Sequence, residues 1–347
     1  MLPDDLLMAL TRRKRALLQR LGTGLITGEG ALARRLADAV IAGEVAAPRA
    51  AAPADSGALS RVEALHVALG LIAFAALWSA LLAATSLTPP TDSIEQWTWS
   101  HALAWGYYKH PPLPAWLLWL ANRVFGASLA TVTLLGAATT VAAFGLFWRL
   151  LWRLRGPAPA TVALLAALCI TFYNGRLNYY NHNIVLLLAS TACAFALERA
   201  LATRRLAWWL GVGSCLGLGA LTKYQVAVTV ACVIAMLWHE RAWRDPAHRR
   251  GMFAAALLAV LLFAPHAVWL VAQRDGPIQY AIDSSLGVRL ALGPRTALSL
   301  HFLIDGIFNR ALPALLVLAA VAFAQRRSAR GADATAVARR PDPILFV

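Results

Sequence analysis

Residues 252–272 read MFAAALLAVLLFAPHAVWLVA, an apolar run that contains no charged side chain. A transmembrane α-helix needs about 20 predominantly apolar residues to cross the hydrocarbon core of a bilayer. This run has that length, and so have the runs at residues 65–86 and 127–148. The three stretches therefore predict membrane-spanning helices.

The composition of the chain extends this prediction to most of its length. Hydrophobic residues make up 59% of the 347 positions and charged residues only 14%, whereas a soluble domain usually carries about 25% charge. We therefore predict an all-α polytopic membrane protein with about eight spans, all within residues 61–330. The further apolar runs, which are shorter or interrupted, are residues 158–173, 184–202, 206–221, 226–238 and 297–324.

The two ends of the chain differ from this central region. Residues 1–60 form an Arg-rich tail followed by an Ala/Pro-rich linker, and we interpret them as a cytoplasmic segment lying on anionic lipid. Residues 331–347 end in the apolar sequence ILFV. We interpret this end as a loop and the start of a further span, which makes the chain a truncated form of a longer protein.

The positive charge follows the connections between the apolar runs. A net charge of +15 could indicate nucleic-acid binding, but the basic residues cluster in every second connection, which is the pattern that orients membrane helices. We therefore predict no nucleic-acid partner, a cytoplasmic N-terminus and a functional site on the opposite face. The clusters predicted to be cytoplasmic contain Arg149, Arg153, Arg155, Arg199, Arg204, Arg205, Arg241, Arg244, Arg249, Arg250, Arg326, Arg327 and Arg330.

The first outer loop, residues 89–116, reads PPTDSIEQWTWSHALAWGYYKHPPLPAW and is rich in tryptophan. This composition suits helices that lie in the headgroup region of the membrane. Asp92 has two interpretations that the spacing leaves open. It stands three residues before Glu95, as in a variant capping box, and could be a helix N-cap. It could equally be a carboxylate at the membrane surface that acts as a general base.

The basic residues of the outer loops are candidates for binding phosphate. Lys109 and His110 precede the rigid Pro111-Pro112 pair, and Lys223 lies in a later outer loop. A lysine can bind phosphate as a point charge and a histidine as a hydrogen-bond donor. The alternative is that the lysines are interfacial anchors whose ammonium groups reach the headgroup level.

The second outer loop contains the sequence NYYNHN at residues 178–183. Asn181 could cap the helix that follows. Together with Asn178 and His182, it could instead hydrogen-bond sugar hydroxyls or hold a divalent cation. The sequence leaves these alternatives open, and the identity of a metal stays unknown.

These loops, taken in order, resemble the membrane glycosyltransferases of the family 39 or dolichyl-phosphate-mannose-protein mannosyltransferase type, which include relatives of the lipid A aminoarabinose transferases. The resemblance covers about residues 60–290 and rests on the motifs at residues 91–96, 103–116 and 178–183. The LTKY sequence at residues 221–224 and the segment from Pro265 to Trp269 extend it.

The resemblance implies a GT-C helix bundle with interfacial helices in the first outer loop. It implies transfer of a sugar from a polyprenyl phosphate to an acceptor hydroxyl, with inversion, at the outer face of a bacterial inner membrane. Asp92 occupies the place of the family's catalytic base, although Ser93 follows where many relatives have Glu. The implied phosphate-binding residues are Lys109, His110 and Lys223, and those for the acceptor or sugar are Glu95, Asn178, Asn181 and His182.

Two other functions remain open at this point. The chain could be a transporter or flippase of lipid-linked sugars, because Asp305, Asn309 and Arg310 are polar residues within the last apolar run and such residues often mark a transport path. It could also be a non-catalytic membrane partner. The implied acceptor is a lipid, a glycan or a protein, and no cofactor beyond the divalent cation is indicated.

Overall fold

A computed structural model describes residues 61–85, 89–170, 179–273, 276–286 and 292–333. Over these ranges the chain is helical with short connections, and no β-strand occurs among the described residues. The predicted tail and linker at residues 1–60 and the predicted further span beyond residue 333 lie outside them. The domain boundaries at residues 60 and 330 therefore stay a prediction.

Twelve α-helices are described, and we number them in chain order. Their bounds are α1 Arg61–Thr85, α2 Thr91–Trp99, α3 Leu113–Phe125, α4 Leu129–Arg155, α5 Pro157–Leu168, α6 His182–Thr203, α7 Leu206–Ala220, α8 Val226–His239, α9 Pro246–Ala272, α10 Pro277–Leu286, α11 Leu292–Ile304 and α12 Leu312–Asp333. A short 3₁₀ turn, Ala242–Arg244, precedes α9, and a π-helical segment, Asp305–Ala311, joins α11 to α12.

The prediction of an integral membrane protein is confirmed, but the count of eight spans is not. Each predicted apolar run forms a helix, and five of the described segments are long and apolar enough to cross a bilayer: Ala64–Leu81, Leu129–Arg155, His182–Thr203, Pro246–Ala272 and Gly293–Phe323. Helices α5, α7 and α8 have only 12, 15 and 14 residues. At 1.5 Å per residue, 12 residues reach about 18 Å, which is well short of the roughly 30 Å hydrocarbon core.

The last apolar run is a continuous helix with a local π-helical defect. Such a defect accommodates residues that do not fit the regular helix. Here the carboxylate of Asp305 accepts hydrogen bonds from Asn309 at 2.9 Å and from Arg310 at 2.7 Å. The three polar residues proposed for a transport path therefore pair with one another on a single helix.

The helix bundle is centred on α6, α7 and α9, and α4 packs against α6. Small residues allow the close approach, as is common between membrane helices. A Cβ atom on Gly251 of α9 would lie 2.1 Å from a ring carbon of Trp209 of α7. Trp209 is 1% exposed and belongs to the largest buried cluster, with Cys193, Leu197 and Val212. Helices α1 and α5 both pack on α4.

The first outer loop contains α2 and α3, as predicted, and it is docked on α9. The Nδ1 atom of His266 lies 2.6 Å from the carbonyl oxygen of Trp105, and because a carbonyl can only accept, the proton is on Nδ1. The Nε2 atom then accepts from the hydroxyl of Tyr224 at 2.9 Å. His266 is fully buried. The backbone amide of Leu113 also donates to the carbonyl of Leu221 at 2.9 Å, so the first loop contacts the connection between α7 and α8.

Candidate functional site

The start of α2 places Asp92 without using it as a cap. The helix begins at Thr91, its N-cap residue is Pro90, and no side chain caps it. The N-cap and capping-box interpretation of Asp92 was therefore wrong, because the N-cap position is residue 90, two residues earlier than the spacing suggested. The buried residues Ser93 and Gln96 hold α2 against the bundle, and Asp92 and Glu95 remain partly exposed.

Asn181 links Asp92 to the start of α6. Its Oδ1 atom accepts from the backbone amides of Asn183 at 3.0 Å and Ile184 at 3.1 Å, so it is the N-cap of α6. Its Nδ2 atom donates to the carboxylate of Asp92 at 2.9 Å. The cap fixes the amide, and the amide in turn orients the carboxylate. The capping role and the contact with a candidate catalytic residue are therefore compatible.

The two candidate lysines have different partners. Lys109 forms an ion pair with Glu95 and lies over the ring of Tyr280, with 5.4 Å between Nζ and the ring centroid. The hydrogen bond to Glu95 raises the pKa of Lys109. Its positive charge is thus largely matched by a carboxylate of the same loop.

Among the described residues, the side chain of Lys223 hydrogen-bonds only to a neutral group. Its Nζ atom donates to the amide oxygen of Asn183 at 2.8 Å. Burial lowers the pKa of Lys223, and the carboxylate of Asp92 opposes this effect. A half-buried ammonium group with an amide partner keeps most of its charge available for an anion.

The rings of His110 and His182 are in contact beside these groups. Their ring centroids are 3.7 Å apart, and the planes are tilted by 42°. Burial lowers the pKa of His110 to about 4, and the nearby charge of Lys223 contributes in the same direction. The imidazole is therefore neutral near pH 7 and can donate a hydrogen bond but supplies no charge. The Nδ1 atom of His182 is buried and has no hydrogen-bond partner among the described residues.

The loops thus bring most of the predicted site residues together in one polar cluster. Asp92, His110, Asn181, His182 and Lys223 are connected by the contacts above, and Lys109 and Glu95 flank them. Asn178 lies outside the described residues. Within those residues, no group of three or more histidine, cysteine, aspartate or glutamate side chains is arranged to hold a metal ion.

Two residues in contact with this cluster were not predicted. Asn183 was quoted in the NYYNHN motif but received no role, although its side chain binds Lys223. Tyr280 belongs to α10 and reaches Lys109 from a distant part of the chain. Nothing in the local sequence indicates the second contact, because it depends on how α10 packs.

The first loop also forms one wall of an apolar groove, which none of the cluster residues lines. The groove has a volume of about 520 Å³ and lies between the first loop and α3. Its lining residues are Leu103, Ala104, Trp105, Trp116, Leu117, Trp119 and Leu120. The indole of Trp116 donates to the carbonyl of Ala104 at 2.9 Å, which holds the two walls together.

Comparison with known proteins supports the resemblance. Residues 109–269 match the family described as dolichyl-phosphate-mannose-protein mannosyltransferase. This match includes Lys109, His110, His182 and Lys223 but begins after Asp92.

Characterised bacterial proteins are similar over part of their length. A lipopolysaccharide core galacturonosyltransferase, RgtA of Rhizobium johnstonii, is 28% identical over 239 residues, which are 66% of this chain and 46% of the relative. An undecaprenyl phosphate-alpha-4-amino-4-deoxy-L-arabinose arabinosyl transferase of Pseudomonas aeruginosa is 29% identical over 174 residues, which are 48% of this chain and 31% of the relative. The chain therefore spans less than half the length of these relatives.

A solved structure has the same fold. The crystal structure of ArnT from Cupriavidus metallidurans bound to undecaprenyl phosphate superposes with a TM-score of 0.50 and 15% sequence identity. The superposition covers 62% of this chain and 44% of that protein. The predicted GT-C fold class is thus confirmed, and so is the resemblance to this group of membrane glycosyltransferases.

Proposed function

We propose that this chain belongs to a membrane glycosyltransferase that moves a sugar from a polyprenyl-phosphate donor to an acceptor hydroxyl, with inversion. The observation that carries this proposal is the polar cluster, in which an oriented carboxylate, Asp92, lies near an available cation, Lys223. The names of the similar proteins support it, because they include an undecaprenyl phosphate aminoarabinose transferase and lipopolysaccharide galacturonosyltransferases.

Asp92 is the proposed general base. An acceptor hydroxyl is a weak nucleophile and gains reactivity when a nearby carboxylate takes its proton. Asn181 donates to Oδ2 of Asp92, which leaves Oδ1 for the hydroxyl. The acceptor oxygen bonds to the anomeric carbon while the bond from that carbon to the phosphate oxygen breaks. The electron pair leaves with the polyprenyl phosphate, and attack from the opposite face inverts the anomeric carbon.

Lys223 and His110 are the proposed ligands of the donor phosphate. Negative charge on the leaving phosphate grows as the glycosidic bond breaks, so a fixed cation beside it stabilises the transition state. Lys223 supplies that charge, and neutral His110 supplies a hydrogen bond. Lys109 completes the group, with a weaker contribution because it is already paired with Glu95.

The remaining predicted residues are proposed to contact the sugar or the acceptor. These are Glu95, Asn178, Asn181 and His182. The acceptor is proposed to be a lipid, glycan or protein. We place the reaction at the outer face of the bacterial inner membrane, in line with the alternation of basic clusters.

This function is tested by incubating the protein with synthetic polyprenyl-phosphate sugars and a mixture of lipid and glycan acceptors. Mass spectrometry then detects sugar transfer. The proposal expects a product heavier by one sugar and release of free polyprenyl phosphate. Sealed vesicles that contain the protein separate the alternatives. Movement of the intact donor between leaflets without transfer would indicate a flippase instead, and neither activity would indicate a non-catalytic partner.

A further inference from the structure

A second groove lies at the opposite end of α4 from the first outer loop, between α1 and α4. It has a volume of about 410 Å³. Its walls are almost entirely apolar and include Val67 and Leu71 of α1 and Val141 and Gly145 of α4. At one end the lining includes a single charged residue, Arg149.

The guanidinium of Arg149 has one donor atom without an acceptor among the described residues. Its Nη1 atom is buried and, in the described part of the chain, has no hydrogen-bond partner. Its plane lies over the ring of Trp152, with the guanidinium carbon 4.6 Å from the centroid. A buried donor without an acceptor is unfavourable, and more so when the group is charged. Arg149 also lines the groove, so an anion held there would balance its charge.

Among the described residues, positive charges outnumber negative charges around Arg149. Its charged neighbours are Arg153, Arg199 and Glu198. The carboxylate of Glu198 is engaged by Arg153, which donates from Nε at 3.0 Å and from Nη2 at 3.3 Å. Within the described part of the chain, three guanidinium groups therefore lie near one carboxylate, and that carboxylate already has two hydrogen bonds from Arg153. The end of the groove carries an excess of positive charge.

We propose that this groove binds an anionic phospholipid, with its phosphate on Arg149 and an acyl chain along the wall of α1. Charge complementarity identifies the occupant. An apolar groove that ends at a guanidinium with no ion pair to any described residue matches an acyl chain that ends at a phosphate. Arginine suits this role because its planar donors fit phosphate oxygens. Basic pockets between membrane helices bind acidic lipid headgroups in the same way. The site is independent of the proposed transferase chemistry.

Two variants test the headgroup and the acyl chain separately. Arg149→Gln removes the charge, and Arg155→Gln is its matched control, because Arg155 is exposed on the same helix and does not line the groove. Gly145→Leu fills the groove, since a Cβ atom at position 145 meets nothing within 4 Å. Gly70→Leu is the matched control, because Gly70 also faces open space but lies outside the lining.

The measurement is native mass spectrometry of the purified chain titrated with phosphatidylglycerol or with phosphatidylcholine of the same acyl chains. Wild type should bind the first lipid about tenfold more tightly, as one charged hydrogen-bonded contact allows. Arg149→Gln should remove this preference, and Gly145→Leu should weaken both lipids. The two control variants should behave as wild type.

Several outcomes would overturn the proposal. Equal lipid binding by wild type and Arg149→Gln would exclude a phosphate on Arg149, and an equal loss in Arg155→Gln would indicate surface charge alone. Displacement of the lipid by millimolar inorganic phosphate would make this a soluble-anion site. If Arg149→Gln fails to fold by circular dichroism, Gly145→Leu still decides, because unchanged binding in that variant excludes the groove.

Discussion

Replacing Asp92 with Asn separates a catalytic carboxylate from one that only stabilises α2. Asn keeps the shape of the side chain and an oxygen that can accept the hydrogen bond from Asn181, but it cannot take a proton. The structure excludes a cap, but the carboxylate also interacts with Asn181 and with Lys223. The loss in stability further includes the interaction of a negative charge with the first turn of α2. That interaction is typically worth about 0.3–1 kcal/mol.

The expected effect on catalysis is much larger. General base catalysis contributes about 10²–10⁴-fold, and a hundredfold loss corresponds to about 2.7 kcal/mol in the activation barrier. Asp92→Asn should therefore reduce transfer by at least about a hundredfold while its melting temperature stays close to wild type. The two effects differ enough to be measured on the same sample.

The assay is the initial rate of sugar transfer from a synthetic polyprenyl-phosphate donor, followed by mass spectrometry, with thermal unfolding measured in parallel. Asp283→Asn is the matched control, because Asp283 is an exposed carboxylate on α10 that bonds only to Gln279 among its described partners. Undiminished turnover in Asp92→Asn would remove Asp92 from the mechanism. Glu95 would then be the next candidate.

Three further predictions concern the cations and the topology. Lys223→Ala should weaken donor binding by about tenfold to a hundredfold, as expected for the loss of a charged hydrogen bond. Lys109→Ala should weaken it less, because Glu95 already pairs with Lys109. Equal KM values for both variants and wild type would contradict this prediction. The pKa of His110 is lowered to about 4, so the unfolded chain binds more protons than the folded chain between about pH 4 and 6.5. The free energy of unfolding should therefore fall as the pH drops through this window. Denaturant unfolding at several pH values should show a smaller fall in His110→Gln than in wild type, and an equal fall would exclude His110 as the cause. A cysteine placed at position 178 should react with an impermeant reagent in sealed cells and one at position 204 should not, and labelling at 204 would reverse the assigned orientation.

The fold was predictable to the extent that it depends on local composition. The run at residues 252–272 is apolar along its whole length, so its helical span could be predicted without knowledge of its neighbours. Helices α5, α7 and α8 are apolar but short, and composition alone does not decide whether such helices cross a bilayer. The interruption at Asp305 was visible in the sequence, but its outcome, a π-helical segment in a continuous helix, depends on pairing within that turn.

For the candidate site, the sequence indicated which polar residues could lie together but not which contacts they make. The loop sequences indicated Asp92, His110 and Lys223 because a carboxylate can act as a base and because lysine and histidine can bind phosphate. The sequence did not predict that Lys109 pairs with a carboxylate and Lys223 with a neutral amide. It arises because Glu95 lies within reach of Lys109, whereas Asn183 faces Lys223, and tertiary packing decides both contacts.

The hydrogen bonds through His266 also have an entropic consequence. A surface loop as long as the first outer loop would lose considerable conformational freedom on enclosing a substrate. The ring of His266 joins this loop at Trp105 to the connection that contains Tyr224, and it does so from within a long membrane helix. Much of the ordering is therefore complete before any substrate arrives. The lipid-embedded bundle acts as the rigid support on which the two lysine-bearing loops are pre-organised.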